Sequence, residues 1–303
     1  IGVPISLLNL DTNLHDYALV EMGMNGPGEI AALSEIAEPD IGLITQVGPA
    51  HLDVLETVDA VAAEKAALAE SVLQRNGDVY FPSECLEFSA FCRLEGNVHI
   101  LHRKSPEQAG ANPDLPNQTD IIEIELSGKP ASGLTFSNRK EPWAGHFFSV
   151  PDVSPGIVHN MTLATIVALD LGADPKVIDD VLAGWAPYAQ RGEVVTHGRL
   201  QYWVDCYNAN PSSLVDSYRG FCQRFCGKPH ILVLGEMKEL GRQHDALHEA
   251  SARELHCQPD TVIFLVGAGA EAYGPGFEAQ GVSPDKIQYV RELTAVRDYL
   301  KDQ

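Results

Sequence analysis

The spacing of apolar and polar residues predicts regular strands and helices along the chain, and in its second half the two alternate. Apolar runs there predict strands near 199–206, 230–235, 261–266 and 286–290. Apolar residues spaced three or four apart predict helices near 211–225, 244–256 and 292–302. This order is typical of a small parallel, Rossmann-like sheet covered by helices.

The first half is predicted to form a larger α/β domain with a small antiparallel subsheet. The apolar runs Tyr17–Met24 and Ile41–Val47 predict buried strands. The subsheet is assigned to shorter runs at 78–82, 98–101, 121–126 and 134–137, with a polar surface loop at 105–119. Two helices are expected afterwards, one from His159 to Leu171 with Asn160 as its N-cap, and one from Pro175 to Trp185.

The stretch WVDCYNANPSS, from Trp203 to Ser213, is a candidate ligand-binding segment. It ends a predicted buried strand, Leu200–Cys206, and leads through a polar turn into a helix with Asn210 as N-cap and Pro211 as first residue. Open α/β sheets bind ligands where strands end, and a helix N-terminus favours phosphate. An ordinary strand–turn–helix connection would also explain this stretch.

Lys65 is the most unusual residue of the first half, because it lies on an apolar helical stripe. It follows Val61 by four residues and precedes Leu68 by three. A lysine on a buried face either extends its amine to solvent or serves a function. Burial lowers the pKa of a lysine, and a neutral amine can take up CO₂ to form a carbamate, an anionic oxygen ligand that suits Mg²⁺.

Composition excludes several classes of function. The 303 residues include 42 acidic and 21 basic side chains, a formal net charge of -21, which argues against nucleic-acid or anionic-membrane partners. No apolar run is long enough to span a bilayer, so no membrane insertion is expected. The six cysteines lack disulfide or zinc spacing and favour a reduced, cytoplasmic protein.

Several motifs resemble the Mur ligases, in particular those that add D-alanyl-D-alanine to the peptidoglycan precursor. DCYNANP is similar to the family's D-S-Y-N-A-N-P, and VLGEMKELG, from Val233, to its V-L-G-D-M-x-E-L-G. The opening IGVPISLL and the segment EMGMNGPGEI also match. The sequence departs from the family at Cys206 (usually Ser), Val204 (often Asp) and Gly26 (usually His).

The resemblance implies roles for individual residues. On the metal side it implies Glu21, His51 and a carbamylated Lys65, with Mg²⁺ as the ion; His51 and Lys65 keep the family's separation of 14 residues. The residues expected to hold ATP are Asn160, Arg191, Asp205, Tyr207 and Asn208.

The resemblance also implies the architecture. Residues 1–189 are expected to be the family's central ATP-binding domain, shortened at its N-terminus and without the phosphate loop G-x-x-x-x-G-K-[ST]. Residues 190–303 are expected to be its Rossmann-like C-terminal domain, shortened at its end. A fragment of this kind is expected to show little turnover by itself.

The implied reaction is ATP-dependent amide formation in peptidoglycan biosynthesis. The γ-phosphate is transferred to the terminal carboxylate of UDP-N-acetylmuramoyl tripeptide, and the amine of D-alanyl-D-alanine attacks the acyl phosphate. A monomer is expected, and the diamino acid that ends the tripeptide is left open.

Three alternatives stay open at this point. A sister amide ligase of the folylpolyglutamate or cyanophycin type would share the ATP chemistry, and a non-catalytic paralogue would bind nucleotide without turnover. The third alternative is a nicotinamide-dependent oxidoreductase. It is suggested by the glycine-rich turn VGAGAEAYG (Val266–Gly274), but the acidic residue expected downstream of such a turn is missing.

Overall fold

The computed structural model describes residues 2–103, 119–127, 133–136, 145–258 and 260–301. The predicted loop at 105–119 therefore falls almost entirely outside the described residues. The chain divides into two compact units. The first comprises residues 1–151 and 160–183, and the second comprises residues 152–159 and 184–303.

The first unit contains a six-stranded sheet whose strands follow one another in chain order. The strands are β1 (Ile41–Leu43), β2 (Asp78–Pro82), β3 (Asn97–Arg103), β4 (Thr119–Ser127), β5 (Gly133–Phe136) and β6 (Phe148–Ser149). β1 to β4 pair in parallel, and among the described strands of this unit β4–β5 and β5–β6 pair antiparallel. The α/β class is confirmed, but the predicted antiparallel subsheet begins only at β4. Periodicity alone does not show which way neighbouring strands run.

Helices cover this sheet and supply its core. They are α1 (Gly2–Leu8), α2 (Glu29–Ala37), α3 (Leu52–Leu55), α4 (Val58–Gln74), α5 (Ser89–Cys92), α6 (Pro155–Asp170) and α7 (Pro175–Ala183). The predicted stripe of α4 packs inward, since Val61, Ala62, Ala66, Ala69 and Val72 are buried. Thr57 begins α4 by accepting a hydrogen bond from the Ala60 N–H at 3.1 Å.

The predicted strand Tyr17–Met24 is wrong. The segment has no regular secondary structure, and Tyr17 and Leu19 are 69% and 97% exposed. The sheet described for the first unit starts at β1, which pairs with β2. An apolar run becomes a strand only where a neighbour satisfies its backbone hydrogen bonds, and none of the described strands does so here. β1 is also shorter than predicted and ends at Leu43 rather than Val47.

The second unit contains two separate sheets. A three-stranded parallel sheet has the order β11–β10–β9, and β7 and β8 form an antiparallel hairpin. The strands are β7 (Arg191–His197), β8 (Leu200–Asp205), β9 (Ile231–Gly235), β10 (Val262–Val266) and β11 (Ile287–Val290). The helices are α8 (Pro211–Arg224), α9 (His244–Glu254), α10 (Gly274–Ala279) and α11 (Leu293–Lys301).

Two predictions in this region need correction. The strand predicted at 199–206 exists, but it belongs to the hairpin rather than to the parallel sheet, and it is half-exposed rather than buried. The helix predicted from His159 starts earlier, at Pro155. Asn160 therefore lies inside α6 and is not its N-cap, because Pro155 already suits the first turn of a helix. Within the described residues, no helix combines the length and apolar character needed to cross a membrane.

Candidate functional site

The hairpin of the second unit brings together three of the predicted nucleotide-binding residues. Arg191 begins β7 and lies opposite Asp205, which ends β8. The guanidinium carbon of Arg191 lies 4.1 Å from the centroid of the Tyr207 ring, within the range of a cation–π interaction. A planar cation, a carboxylate and an aromatic ring therefore form one cluster at the end of a strand.

The backbone around Gln190 fixes this cluster. The Gln190 carbonyl accepts hydrogen bonds from the N–H groups of Cys206 at 3.0 Å and Tyr207 at 3.3 Å. Gln190 and Gly192 both have positive φ, 63° and 80°. The glycine tolerates this conformation, whereas Gln190 is strained and depends on its surroundings. The turn holds Tyr207 close to the start of β7, where Arg191 lies.

Asp205 is exposed, and its surroundings act on the pKa of its carboxyl group in both directions. Partial desolvation is the largest influence and raises the pKa of Asp205. A hydrogen bond from Ser217 and the charge of Arg191 oppose this rise, while the charge of Asp216 adds to it. The net result is a pKa above the ordinary range of an aspartate.

The start of α8 follows the cluster and is capped as predicted. The Asn210 side chain accepts from the Ser213 N–H at 2.9 Å, and the Ser213 hydroxyl accepts from the Asn210 N–H at 3.0 Å. Pro211 is the first helical residue. Asn208 is exposed, and its side-chain oxygen accepts from the Ala209 N–H at 2.9 Å. The helix N-terminus thus lies a few residues after the Arg191–Asp205–Tyr207 cluster.

Lys65 in the first unit is half-buried, as its position on the stripe of α4 predicts. Its amine donates to the carbonyl oxygen of Gln46 at 2.5 Å. Burial lowers the pKa of Lys65, and the nearby Cys85 opposes this to a smaller extent. Burial also raises the pKa of the Cys85 thiol to about 12, so that thiol is neutral at pH 7. The Lys65 amine is therefore more easily deprotonated than an ordinary lysine.

The other residues predicted on the first unit have varied positions. His51 is half-buried in a left-handed conformation, φ 58°, immediately before α3. Glu21 is exposed on the segment that is not a strand, and Asn160 is exposed on α6. In the described part of the chain, no group of three or more His, Cys, Asp or Glu side chains is arranged to hold a metal ion. Of the three predicted metal-site residues, only Glu21 and His51 are of these types, and the third is Lys65. The metal-binding role of these three residues stays a prediction.

Two family models match the chain, one in each half. The Mur ligase middle domain matches residues 1–84, and the Mur ligase, glutamate ligase domain matches residues 190–301. The chain belongs to the Mur ligase family. Together the two matches include every predicted site residue except Asn160.

Individual Mur ligases are similar over most of this chain. The UDP-N-acetylmuramoyl-tripeptide--D-alanyl-D-alanine ligase of Borreliella burgdorferi is 25% identical over 271 residues, which are 88% of this chain and 54% of that protein. The crystal structure of MurF from Acinetobacter baumannii superimposes with a TM-score of 0.75 at 22% identity, covering 99% of this chain and 61% of that one. MurF from Thermotoga maritima in complex with ADP has a TM-score of 0.68 at 21% identity, covering 100% and 64%. The chain thus spans about half to two thirds of the length of these relatives.

Two residues of this Mur ligase chain lie near the candidate sites, although the sequence did not single them out. Glu64, next to Lys65, accepts the N–H of Gly28 at 2.7 Å, and its second carboxylate oxygen is buried with no partner among the described residues. Ser217, on α8, accepts a hydrogen bond from the Trp203 indole at 2.9 Å and lowers the pKa of Asp205. The glutamate could have been noticed beside the lysine, but no local pattern distinguishes Ser217 from the other serines of its helix.

The GEMKELG motif of the family forms a rigid loop after β9. The His248 ring is fully buried; its Nε2 accepts from the Met237 N–H at 2.9 Å, and its Nδ1 donates to the His244 carbonyl at 2.7 Å. Burial lowers the pKa of His248, consistent with a neutral ring. Glu236 pairs with both Lys238 and His244. The motif therefore positions one carboxylate at the carboxyl end of a parallel strand, where α/β sheets bind ligands.

Proposed function

We propose that the protein carrying this chain is an ATP-dependent amide ligase that adds D-alanyl-D-alanine to UDP-N-acetylmuramoyl tripeptide in peptidoglycan synthesis. The observation that carries the proposal is the Arg191–Asp205–Tyr207 cluster before the capped start of α8. The curated relative from Borreliella burgdorferi bears the name of this activity and supports the choice of substrates.

The chemistry of the cluster fits a nucleotide. The Arg191 guanidinium presents a planar fork of donors that suits phosphate oxygens. An ionised Asp205 only accepts hydrogen bonds, so it cannot bind phosphate and instead suits the hydroxyl groups of a sugar. Tyr207 supplies an exposed aromatic face, and Asn208 carries both a donor and an acceptor. Asn160 is proposed to contact the adenine base from α6.

Lys65 fits the proposed carbamate because of its environment. Its amine is half-buried, has a lowered pKa and lies on a helix whose stripe fixes its position. The neutral amine is the form that takes up CO₂, and the resulting carbamate joins Glu21 and His51 as the proposed ligands of Mg²⁺. When bound, Mg²⁺ would neutralise phosphate charge during phosphoryl transfer. Lys65 then contributes an anionic oxygen from an inward-facing position.

A reconstituted assay on the protein expressed from its whole coding sequence tests the proposal. Phosphate release from Mg·ATP is expected only when UDP-N-acetylmuramoyl tripeptide and D-alanyl-D-alanine are both present, with the pentapeptide product identified by mass spectrometry. Separate reactions replace the dipeptide by glutamate with a folate acceptor, or by the amino acids of cyanophycin.

The outcomes separate the proposed function from its alternatives. Ligation with glutamate or cyanophycin substrates, and none with D-alanyl-D-alanine, would identify a sister amide ligase. Nucleotide binding without turnover on any acceptor would indicate a non-catalytic paralogue. Binding of NADPH in place of ATP, measured by titration, would favour an oxidoreductase.

A further inference from the structure

A hydrogen bond from Gly28 to the Glu64 carboxylate joins two helices of the first unit. Glu64 lies on α4, immediately before Lys65, and its Oε1 accepts the N–H of Gly28 at 2.7 Å. Gly28 is the residue that precedes α2, and it lies 36 positions before Glu64 in the chain. The hydrogen bond therefore fixes the start of one helix against the side of another.

The start of α2 cannot be capped by its own N-cap residue, because that residue is Gly28. The first N–H groups of a helix lack partners within it and need an acceptor from elsewhere. The Glu29 side chain accepts the N–H of Asn25 at 2.7 Å and so serves the preceding turn. Glu64 takes the place of a cap, and its negative charge lies at the helix end that favours anions.

α2 also contacts the segment that contains Glu21. Ser34 on α2 is fully buried, and its Oγ lies 3.8 Å from the Sδ of Met22, the residue after Glu21. Met24, two residues further on, is buried as well. The segment 21–24 has no regular secondary structure of its own, so its position depends on that of α2.

A set of contacts consequently runs from Glu21 to Lys65. Met22 lies against α2, the start of α2 is bonded to Glu64, and Glu64 is followed by Lys65 on α4. A shift of α2 along α4 would change the separation of the two proposed metal ligands, because they lie on opposite sides of this hydrogen bond.

We propose that Glu64 is a positioning residue that sets the distance between Glu21 and Lys65 by holding the start of α2 on α4. The inference rests on the proposed function for the roles of Glu21 and Lys65 as metal ligands. Consecutive residues of a helix point about 100° apart, so Glu64 and Lys65 face different neighbours. Glu64 bonds to Gly28, whereas the Lys65 amine bonds to the Gln46 carbonyl. Glu64 therefore acts through α2 and not as a partner of the lysine amine.

Amide NMR on glycine-labelled protein tests the hydrogen bond without any ligand. The Gly28 resonance is assigned by its absence in Gly28→Ala. In Glu64→Ala we expect this resonance to move upfield and its exchange with solvent to become about tenfold faster or more, because the acceptor is gone. Glu64→Gln keeps a side-chain oxygen acceptor and should retain most of the protection. Glu70→Ala, which changes an exposed glutamate of the same helix, should alter neither quantity.

The affinity for Mg·ADP tests the consequence for the proposed metal site. Isothermal titration calorimetry is applied to the protein expressed from its whole coding sequence. Glu64→Ala should bind Mg·ADP about three- to tenfold more weakly than the unmodified protein, while Glu64→Gln and Glu70→Ala should stay close to it. ADP with EDTA, which contains no metal ion, should bind equally well to all four proteins. A general loss of structure would weaken both forms of the nucleotide.

Combining Glu64→Ala with Glu21→Gln shows whether the effect passes through Glu21. Two residues that act on one site give non-additive losses. Once Glu21 has lost its charge, Glu64→Ala should therefore weaken Mg·ADP binding little further. An equal loss in both backgrounds would overturn the positioning role.

The remaining outcomes are also decisive. An unchanged Gly28 resonance in folded Glu64→Ala protein would overturn the inference, and so would a Glu64→Gln variant that lost the protection of Gly28 as completely. A changed resonance with unchanged Mg·ADP affinity would make Glu64 only a cap of α2 and overturn its positioning role. Unmodified protein that bound no Mg·ADP would count against the proposed function, whereas the Gly28 resonance would still decide whether Glu64 holds α2.

Discussion

Lys65 and Asp205 are both pushed towards their neutral forms by desolvation, but their surroundings differ. Lys65 in the first unit donates to a backbone carbonyl, a neutral acceptor that does not replace the lost hydration of a full charge. For Asp205 in the second unit, Ser217 and the charge of Arg191 both lower the pKa and oppose the effect of desolvation. A buried amine without a charged partner loses its proton more easily and is then nucleophilic. A desolvated carboxyl group with nearby donors keeps more of its ionised form.

The proposed roles of the two residues correspond to this difference in environment. The Lys65 environment suits a covalent change, because a neutral amine is the nucleophilic form. The Asp205 environment suits recognition, because an oriented carboxylate binds hydroxyl groups without chemical change. Changing one partner at a time separates the two environments.

Replacing Lys65 by alanine is expected to have the largest effect. The variant removes the proposed carbamate, so the ligation rate should fall by about a hundredfold or more. A small carboxylate such as acetate, added to the buffer, should restore part of the activity. Lys176→Ala, which changes an exposed lysine of α7, should keep the full rate. Full activity of Lys65→Ala would remove the carbamate hypothesis.

Arg191→Ala tests the contribution of the positive charge next to Asp205. Loss of the guanidinium removes both the proposed phosphate contact and the cation–π contact with Tyr207, so Mg·ADP should bind about 10- to 100-fold more weakly. Arg191→Lys should be intermediate, because it keeps the charge and loses the planar fork. Isothermal titration calorimetry measures the affinities, with Arg219→Ala on the exposed side of α8 as control. Unchanged affinity in Arg191→Ala would exclude a phosphate contact.

His99 extends the comparison to a half-buried group with a charged partner on each side. Its Nε2 lies 2.8 Å from Asp78 on β2, and its Nδ1 lies 3.2 Å from Asp120 on β4. Burial alone would lower the pKa of His99, but these two hydrogen bonds and charges together outweigh it and raise the pKa. Two carboxylate acceptors require hydrogen on both ring nitrogens, which is the imidazolium form.

The sign of the pH effect follows from that raised pKa. The stabilisation by His99 is fully present below its unfolded pKa of about 6.5 and is lost as the pH rises through the folded value. His99→Gln should therefore lower the free energy of unfolding by about 1–2 kcal/mol at pH 6, and by less at pH 9. Urea unfolding at the two pH values measures this. A difference that grew with pH would contradict the imidazolium assignment.

The cap of α8 is expected to give the smallest effect. Asn210→Ala removes the acceptor for the Ser213 N–H and should cost about 1 kcal/mol of stability. Asn210→Ser, which keeps a side-chain oxygen acceptor, should remain within a few tenths of 1 kcal/mol of the unmodified chain. Urea unfolding of both variants checks this. Equal stability of Asn210→Ala and the unmodified chain would show that the cap contributes little.

Much of the local structure could be predicted from the sequence. The stripe of α4 predicts the helix and the inward position of Lys65, since a period of 3.6 residues places both on one face. Asn210 and Pro211 predict the start of α8 because the cap is made within four residues. The family motifs led to the Mur ligase family, which the two family models confirm.

Other features required partners that no local pattern reveals. Tyr17–Met24 has the composition of a buried strand but lacks a described neighbour to pair with, so it forms no strand, and Tyr17 and Leu19 are exposed. Leu200–Asp205 joins a hairpin because β7 precedes it, and its pairing direction was not visible in its own residues. Asn160 has the side chain of an N-cap, yet Pro155 starts the helix a turn earlier.

The sequence by itself determined the stripe of α4, the capped start of α8 and the residue types available at each proposed site, because those depend on contacts within a few residues. The tertiary structure alone decided that Ser217 meets Trp203, and that His99 lies between Asp78 and Asp120. Burial and the pKa of an ionisable group depend on neighbours far away in the chain, which only the folded arrangement brings within hydrogen-bonding distance.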